Sequence, residues 1–293
     1  MQKSTHKFGG KWTLEKLERI AKYLHAYSTI MTKRRYRFAY IDAFAGTSYR
    51  TQKNFEIKGE LLFPELADQE NQGFLKGSAR IAMQVRPRFT KYIFIEKELN
   101  RCDELNKLKE EFPDQSNDIQ IINADANSYL IDLCLNYSWK NNRAVLFLDP
   151  YGMEVEWSTI RAIASTKAID LWLLFPLGVA VNRLLRRDGQ INELVRSKLD
   201  RFFGTTVWFD QFYQTREKDS LFGTENVIEK VVNFETISKY FVKRLKSIFA
   251  DAAENPLKLY NSKNNPLYLL CFAVGNKKAA PIAKKIAQDI LKK

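Results

Sequence analysis

Two apolar runs, each closing on an aspartate and a turn, constrain this 293-residue chain more than any other feature. The first is Phe38-Ala39-Tyr40-Ile41-Asp42-Ala43-Phe44-Ala45-Gly46. The second is Ala144-Val145-Leu146-Phe147-Leu148-Asp149-Pro150-Tyr151-Gly152. A short continuous apolar run bounded by turn residues reads as a strand buried on both faces, as in a parallel sheet covered by helices. In such sheets the ligand crevice lies beyond the carboxyl ends of the strands. Two carboxylates at two strand ends therefore predict a small-molecule site with a reacting group beside it.

The rest of the chain supplies the layers such a sheet needs. Leu17, Ile20, Ala21, Leu24 and Tyr27 follow helical spacing and predict a long amphipathic helix from Trp12 to about Thr32, with Thr13 as its N-cap. Residues 47–76 are polar, broken by Gly59, Pro64 and Gly73, and read as an inserted loop or flap. Strands are predicted at 91–96, 119–123 and 169–175, alternating with helices near 77–85, 99–112, 128–135 and 157–165. This β–α alternation is the grammar of a doubly wound parallel sheet. Residues 178–258 read as a mostly helical insertion whose aromatics, Phe202 to Tyr213, suit packing. A strand at Pro266–Val274 and a helix at Ala280–Leu291 follow, so 1–293 is expected to form a single domain.

Composition narrows the partners. The formal charge of +13 favours a polyanion, most often nucleic acid. Three scattered cysteines and two histidines offer no spaced ligand set, so no metal is expected. No apolar run approaches the ~20 residues that cross a bilayer, and no secretory signal precedes the first helix. A cytoplasmic location without a membrane partner is the expectation.

Particular residues carry the site. The single glycine of Asp42-Ala43-Phe44-Ala45-Gly46 lets the backbone approach a ligand, and the turn amides can receive an anionic group. Glu96, at the next strand's tip, suits a ribose diol, and Asp125, after the third, an exocyclic amine. A dinucleotide fingerprint and a P-loop string are both absent. S-adenosylmethionine, with its carboxylate, amine, ribose and adenine, fits this mixture of amides and acids. Arg183, Arg186 and Arg187 follow the fifth strand; with Arg34 and Arg35, flanked by Lys33 and Arg37, they are expected to form a phosphate grip beside the pocket.

Asp42-x-Phe44-x-Gly46, Glu96, Asp125 and Asp149-Pro150 resemble the successive motifs of class I S-adenosylmethionine-dependent methyltransferases. Tyr40–Gly46, Phe147–Met153 with Val155-x-Trp157, and Leu173-x-Phe175-Pro176 with Asn182-Arg183 are similar to segments of the bacterial three-Cys-motif partner family, as is the Trp12-x-x-x-Lys16 helix. The resemblance implies a Rossmann-like sheet with an N-terminal helix and a helical insertion before the last strand. It also implies a cofactor, S-adenosylmethionine, and a genomically linked protein partner carrying the three cysteines. Asp42 and the Phe44, Ala45 and Gly46 backbone would hold the methionine end, Glu96 the ribose and Asp125 the adenine amine. Asp149, Pro150 and Tyr151 would face the methyl acceptor. In amino-methyltransferases acting on nucleic acids the matching motif is Asp/Asn-Pro-Pro-Tyr/Phe; here Tyr151 replaces the second proline and Gly152 the aromatic. DNA and RNA stay open as substrates, and the alternative is a non-catalytic cofactor- or partner-binding subunit of a bacterial or phage-related nucleic-acid system.

Overall fold

A computed structural model describes residues 11–45, 77–150, 152–220 and 223–292. Gly46, Tyr151 and the expected flap at 47–76 lie outside the described residues. The chain runs α1 (Lys11–Lys33), β1 (Arg37–Ala43), α2 (77–84), β2 (Lys91–Glu96), α3 (Leu99–Glu111), β3 (Ile119–Asn123), α4 (Ala126–Asn136), β4 (Asn142–Leu148), α5 (Trp157–Ser165) and β5 (Ile169–Phe175). After Pro176 come a wide helical turn (Leu177–Val181) and α6 (Asn182–Leu184), then α7 (Glu193–Phe203), α8 (Trp208–Phe212), β6 (Tyr213–Ser220), β7 (Gly223–Lys230) and α9 (Phe234–Lys246). Short strands β8 (Asp251–Ala252) and β9 (Leu257–Tyr260) precede β10 (Pro266–Val274) and α10 (Ala280–Leu291).

The main sheet has the order β3-β2-β1-β4-β5-β10-β8, with β9 pairing β10. Strands β1 to β5 are mutually parallel, and β10 runs antiparallel between β5 and β8. The order reverses between β1 and β4, which makes their carboxyl ends the topological switch point. This is the Rossmann-like doubly wound arrangement that the sequence implied.

Alternation along β1 sorts its side chains. Phe38 and Tyr40 enter a core shared with Tyr23 and Leu24 of α1, Met83 of α2, Leu105 of α3 and Ala287 of α10. Ile41 and Ala43 enter the other, with Leu130 of α4, Ile160 of α5, Phe202 of α7 and Phe241 of α9. All seven residues of β5 are buried, as a strand covered on both faces requires.

Two local expectations are corrected. Helix α1 begins at Lys11, so Thr13 lies inside its first turn, buried and with no partner for its Oγ1 among the described residues, not at the cap. Between 178 and 258 the structure places the antiparallel pair β6–β7 among the helices.

Candidate active site at the switch point

Asp42 is the last residue but one of β1, on the same face as Tyr40, and is 1% exposed. Its Oδ2 accepts from Ser78 Oγ at 2.8 Å and from Tyr40 Oη at 3.0 Å. Tyr40 reaches it because residues two apart on a strand share a face. Burial pushes the Asp42 carboxyl up to about 7, against the two hydroxyls and Lys16, with the negative charge of Asp149 adding to the rise.

The turn after Asp42 corrects part of the sequence expectation. Phe44 adopts a left-handed backbone (φ 67°), and the Ala45 amide donates to the Ile95 carbonyl at 3.0 Å. That amide ties the turn to β2 and is therefore not a free donor for an anion.

Glu96 closes β2 and is also 1% exposed. Its Oε1 accepts from the Glu98 amide at 2.7 Å, whereas its buried Oε2 has no hydrogen-bond partner among the described residues. Burial raises its pKa. A buried carboxylate oxygen that lacks a donor is costly, so this one is poised to accept from a hydroxyl. Asn123 holds the neighbouring loop, donating to the carbonyls of Glu96 (3.1 Å) and Lys97 (2.7 Å).

Asp125 has a structural task that its spacing did not reveal. Its Oδ1 accepts from the Ser128 amide at 3.1 Å as the N-cap of α4, which is why that helix starts before Ser128. Its Oδ2 lies 3.9 Å from Lys97 Nζ, on a side chain 46% exposed.

Across the switch point, Asp149 follows β4 and meets a residue that strand-end reasoning missed. Lys16 Nζ of α1 donates to Asp149 Oδ2 at 2.9 Å, with side chains 2% and 12% exposed. The ammonium lies 4.8 Å from the Trp12 ring centroid and 6.0 Å from that of Phe147. Trp12 in turn stacks on Tyr268 of β10, ring centroids 5.0 Å apart. Burial raises the Asp149 pKa and Lys16 opposes it. The only hint in the sequence was the Trp12-x-x-x-Lys16 spacing, which puts both on one side of a helix.

The loop beyond Asp149 is held from α4. Asn127 Oδ1 accepts from the Glu156 amide (3.1 Å) and Thr159 Oγ1 (2.7 Å), and its Nδ2 donates to the Glu154 carbonyl at 2.9 Å. Pro150 is buried. Gly152 is left-handed (φ 68°) with open space around it, so its departure from the amino-methyltransferase motif serves a backbone turn.

The two basic clusters separate. Arg183, Arg186 and Arg187 follow β5 and stay at the carboxyl rim, where Arg186 pairs with Asp188 at 2.8 Å. Arg34 and Arg35 precede β1 and lie at the opposite end of the sheet. The expectation that they join a grip beside the pocket fails because a strand of seven residues, about 20 Å long, stands between them and Asp42.

No family model matches this chain, and no curated protein matches it. Solved structures do. A Legionella pneumophila protein is similar at 14% identity over 98% of this chain and 92% of its own, with a TM-score of 0.43. Magnesium protoporphyrin IX methyltransferase from Synechocystis, solved with bound S-adenosylmethionine, is similar at 14% identity over 73% of this chain and 80% of its own, TM-score 0.30. The 23S rRNA methyltransferase ErmE is similar at 10% identity over 75% of each chain, TM-score 0.26. At such distances the chemistry of this site is read from its own residues.

Proposed function

We propose that this chain is an S-adenosylmethionine-dependent methyltransferase acting on nucleic acid in the cytoplasm, working with a protein partner of the three-Cys type. The carrying observation is the buried Oε2 of Glu96 beside the switch point, which has no partner among the described residues. A ribose hydroxyl donating there would satisfy it. The half-exposed Asp125 side chain suits the adenine amine, while the left-handed turn at Phe44 suits the methionine end. When bound, the cofactor supplies a methyl group already activated on a sulfonium.

The chain's own residues then have defined tasks. Lys16 favours the carboxylate form of Asp149, which accepts a hydrogen bond from the acceptor's N–H and orients it. Trp12 and Tyr268 shield that ion pair from water. Calorimetry and thermal melting with S-adenosylmethionine and S-adenosylhomocysteine test the reading. Ligand at a hundredfold its Kd should stabilise the fold by about 2.7 kcal/mol, and Glu96→Ala should weaken binding by about 1.5 kcal/mol or more. No heat and no melting shift at millimolar ligand removes the cofactor claim.

One observation favours a second reading. Asp149 is already engaged by Lys16, as in a subunit that binds cofactor and partner without transferring a methyl group. A labelled-methyl assay on DNA, RNA and protein, with and without the partner, separates the two: cofactor binding with no transfer supports the subunit.

A further inference from the structure

The end of the sheet away from the pocket carries an unpaired basic surface. Lys33, Arg34, Arg35 and Arg37 stand where α1 gives way to β1, and Arg88 and Lys91 where the chain enters β2. The pattern continues with Arg143 at the start of β4, Lys167 just before β5 and Lys277 after β10, which runs the other way. All but Lys91 and Arg143 are exposed. None of these cations pairs with a carboxylate among the described residues. Arg88 donates only to the Asp114 carbonyl (3.2 Å), and Arg143 to the carbonyls of Trp139 and Asn142 while stacking on Tyr36 at 4.4 Å. The acids nearby are Glu110, Asp114 and Asp118, plus Glu111, which Arg80 occupies, and the buried Asp170 of β5, whose charge Arg143 favours. Helices α1 to α5 also end here, each with about half a negative charge. They balance a few of the cations and leave an excess.

Two observations make this a shaped surface. An open cleft of about 520 Å³ is lined by Arg35, Tyr36, Arg88, Thr90 and Asp118. Arg35 sits in it at a backbone cost. The Tyr36 amide donates to the Met31 carbonyl (3.3 Å) and the Arg35 amide to Thr32 (3.1 Å), the paired bonds of a Schellman ending, with Arg35 left-handed at φ 56°. Helix α7 meets the same need with Gly204 at φ 66°. In α1 that position holds a long cation facing the cleft.

We propose that this amino face docks the phosphodiester backbone of nucleic acid, centred on the cleft between Arg35 and Arg88. Phosphates take guanidinium forks well, and contacts of this kind position a polynucleotide without reading its sequence. The proposal rests on the nucleic-acid reading above for the partner's identity and is independent of the cofactor pocket. It places the anchoring contact about 20 Å from Asp42, the length of β1. Only a polymer long enough to wrap from one end of the sheet to the other then reaches both.

Fluorescence anisotropy of the full chain with labelled single-stranded RNA, single-stranded DNA and duplex DNA, over a salt series, tests this. Wild type should bind with a steep salt dependence. Arg35→Glu with Arg37→Glu and Arg88→Glu should weaken binding at low salt more than tenfold and remove roughly two to three units of log–log slope. The melting shift given by S-adenosylmethionine should stay, so failure here and failure of the cofactor reading are distinguishable. Arg35→Gly is the second variant: it should melt at a higher temperature and yet bind less tightly, an outcome that misfolding cannot produce. Unchanged binding in the triple variant, loss caused instead by Arg183→Glu with Arg187→Glu, or no binding by wild type at low salt would each overturn the proposal.

Discussion

At the carboxyl rim of the sheet Lys16 holds Asp149 at 2.9 Å, Lys97 and Arg186 face Asp125 and Asp188, and Asp42 and Glu96 are 1% exposed. At the amino face of the same strands Arg34, Arg35, Arg37 and Arg88 stand in solvent with no carboxylate partner among the described residues. At Lys16, Asp149, Asp42 and Glu96 the first end has removed polar groups from water, which gives directional, short-range recognition. The second leaves like charges hydrated and uncompensated, where they act over a Debye length and weaken with salt. One end suits a small polar ligand, the other a long anion.

The contrast breaks most sharply at the ion pair. Lys16→Met leaves Asp149 buried without its cation and should cost about 3 kcal/mol in urea unfolding at pH 8. The loss should shrink at pH 5, because burial already raises the Asp149 pKa and protonation removes the stranded charge. Lys16→Met with Asp149→Asn should recover most of the loss at pH 8.

Asp42 gives the next largest effect. Its folded pKa of about 7 stands above the ordinary 3.8, so between those values the folded state holds a proton that the unfolded state has released. Stability from this group is therefore fully present below about pH 4 and declines as pH rises to about 7. Asp170, pushed up by burial to about 6 although Tyr23 and the Gly275 amide donate to it, adds to the decline over its own window. Asp42→Asn keeps an acceptor for Ser78 and Tyr40. It should raise stability at pH 8 by about 1–3 kcal/mol and change little at pH 4; melting curves from pH 4 to 8 would show a shallower decline. Equal gains at both pH values would refute the assignment.

At the amino face the expected energy is small and opposite in sign to the functional effect. Arg35→Gly relieves a left-handed arginine but frees the unfolded chain, for a net gain of about 0.5–1 kcal/mol. An exposed control such as Lys33→Gly, at a helical position, should lose stability by about 1 kcal/mol.

Much of this was legible in the chain. Strands β2, β5 and β10 and helices α5 and α10 fall where their apolar runs and breakers put them, since strands largely buried on both faces cannot hide their composition, and the edge strand β3 follows from its isoleucines. The β6–β7 pair could not be read so. Tyr213–Ser220 and Gly223–Lys230 are mostly polar and pair as strands with each other, outside the main sheet, with Tyr213 and Lys230 bonding back to Arg186 and Arg187. Strands β8 and β9, of two and four residues, are too short to show a period. The acids at the strand ends announced a site, but the Lys16–Asp149 bond joins residues 133 apart, and local pattern carries no such information. Arg34–Arg35 and Arg183–Arg187 look alike as strings. What tells them apart is whether they precede or follow a parallel strand, a topological fact.

Strand β10 occupies an interior place, between β5 and β8, although every other strand of the sheet precedes it in the chain. During synthesis β5, apolar on both faces, therefore waits with one hydrogen-bonding edge open while nearly a hundred residues from 176 to 265 are added. Such an edge is a template for pairing with other chains. The nascent protein thus has an interval of aggregation risk that ends only when its tenth strand arrives. Premature termination between Pro176 and Asn265 would leave that edge exposed, making truncated products candidates for chaperone capture or degradation.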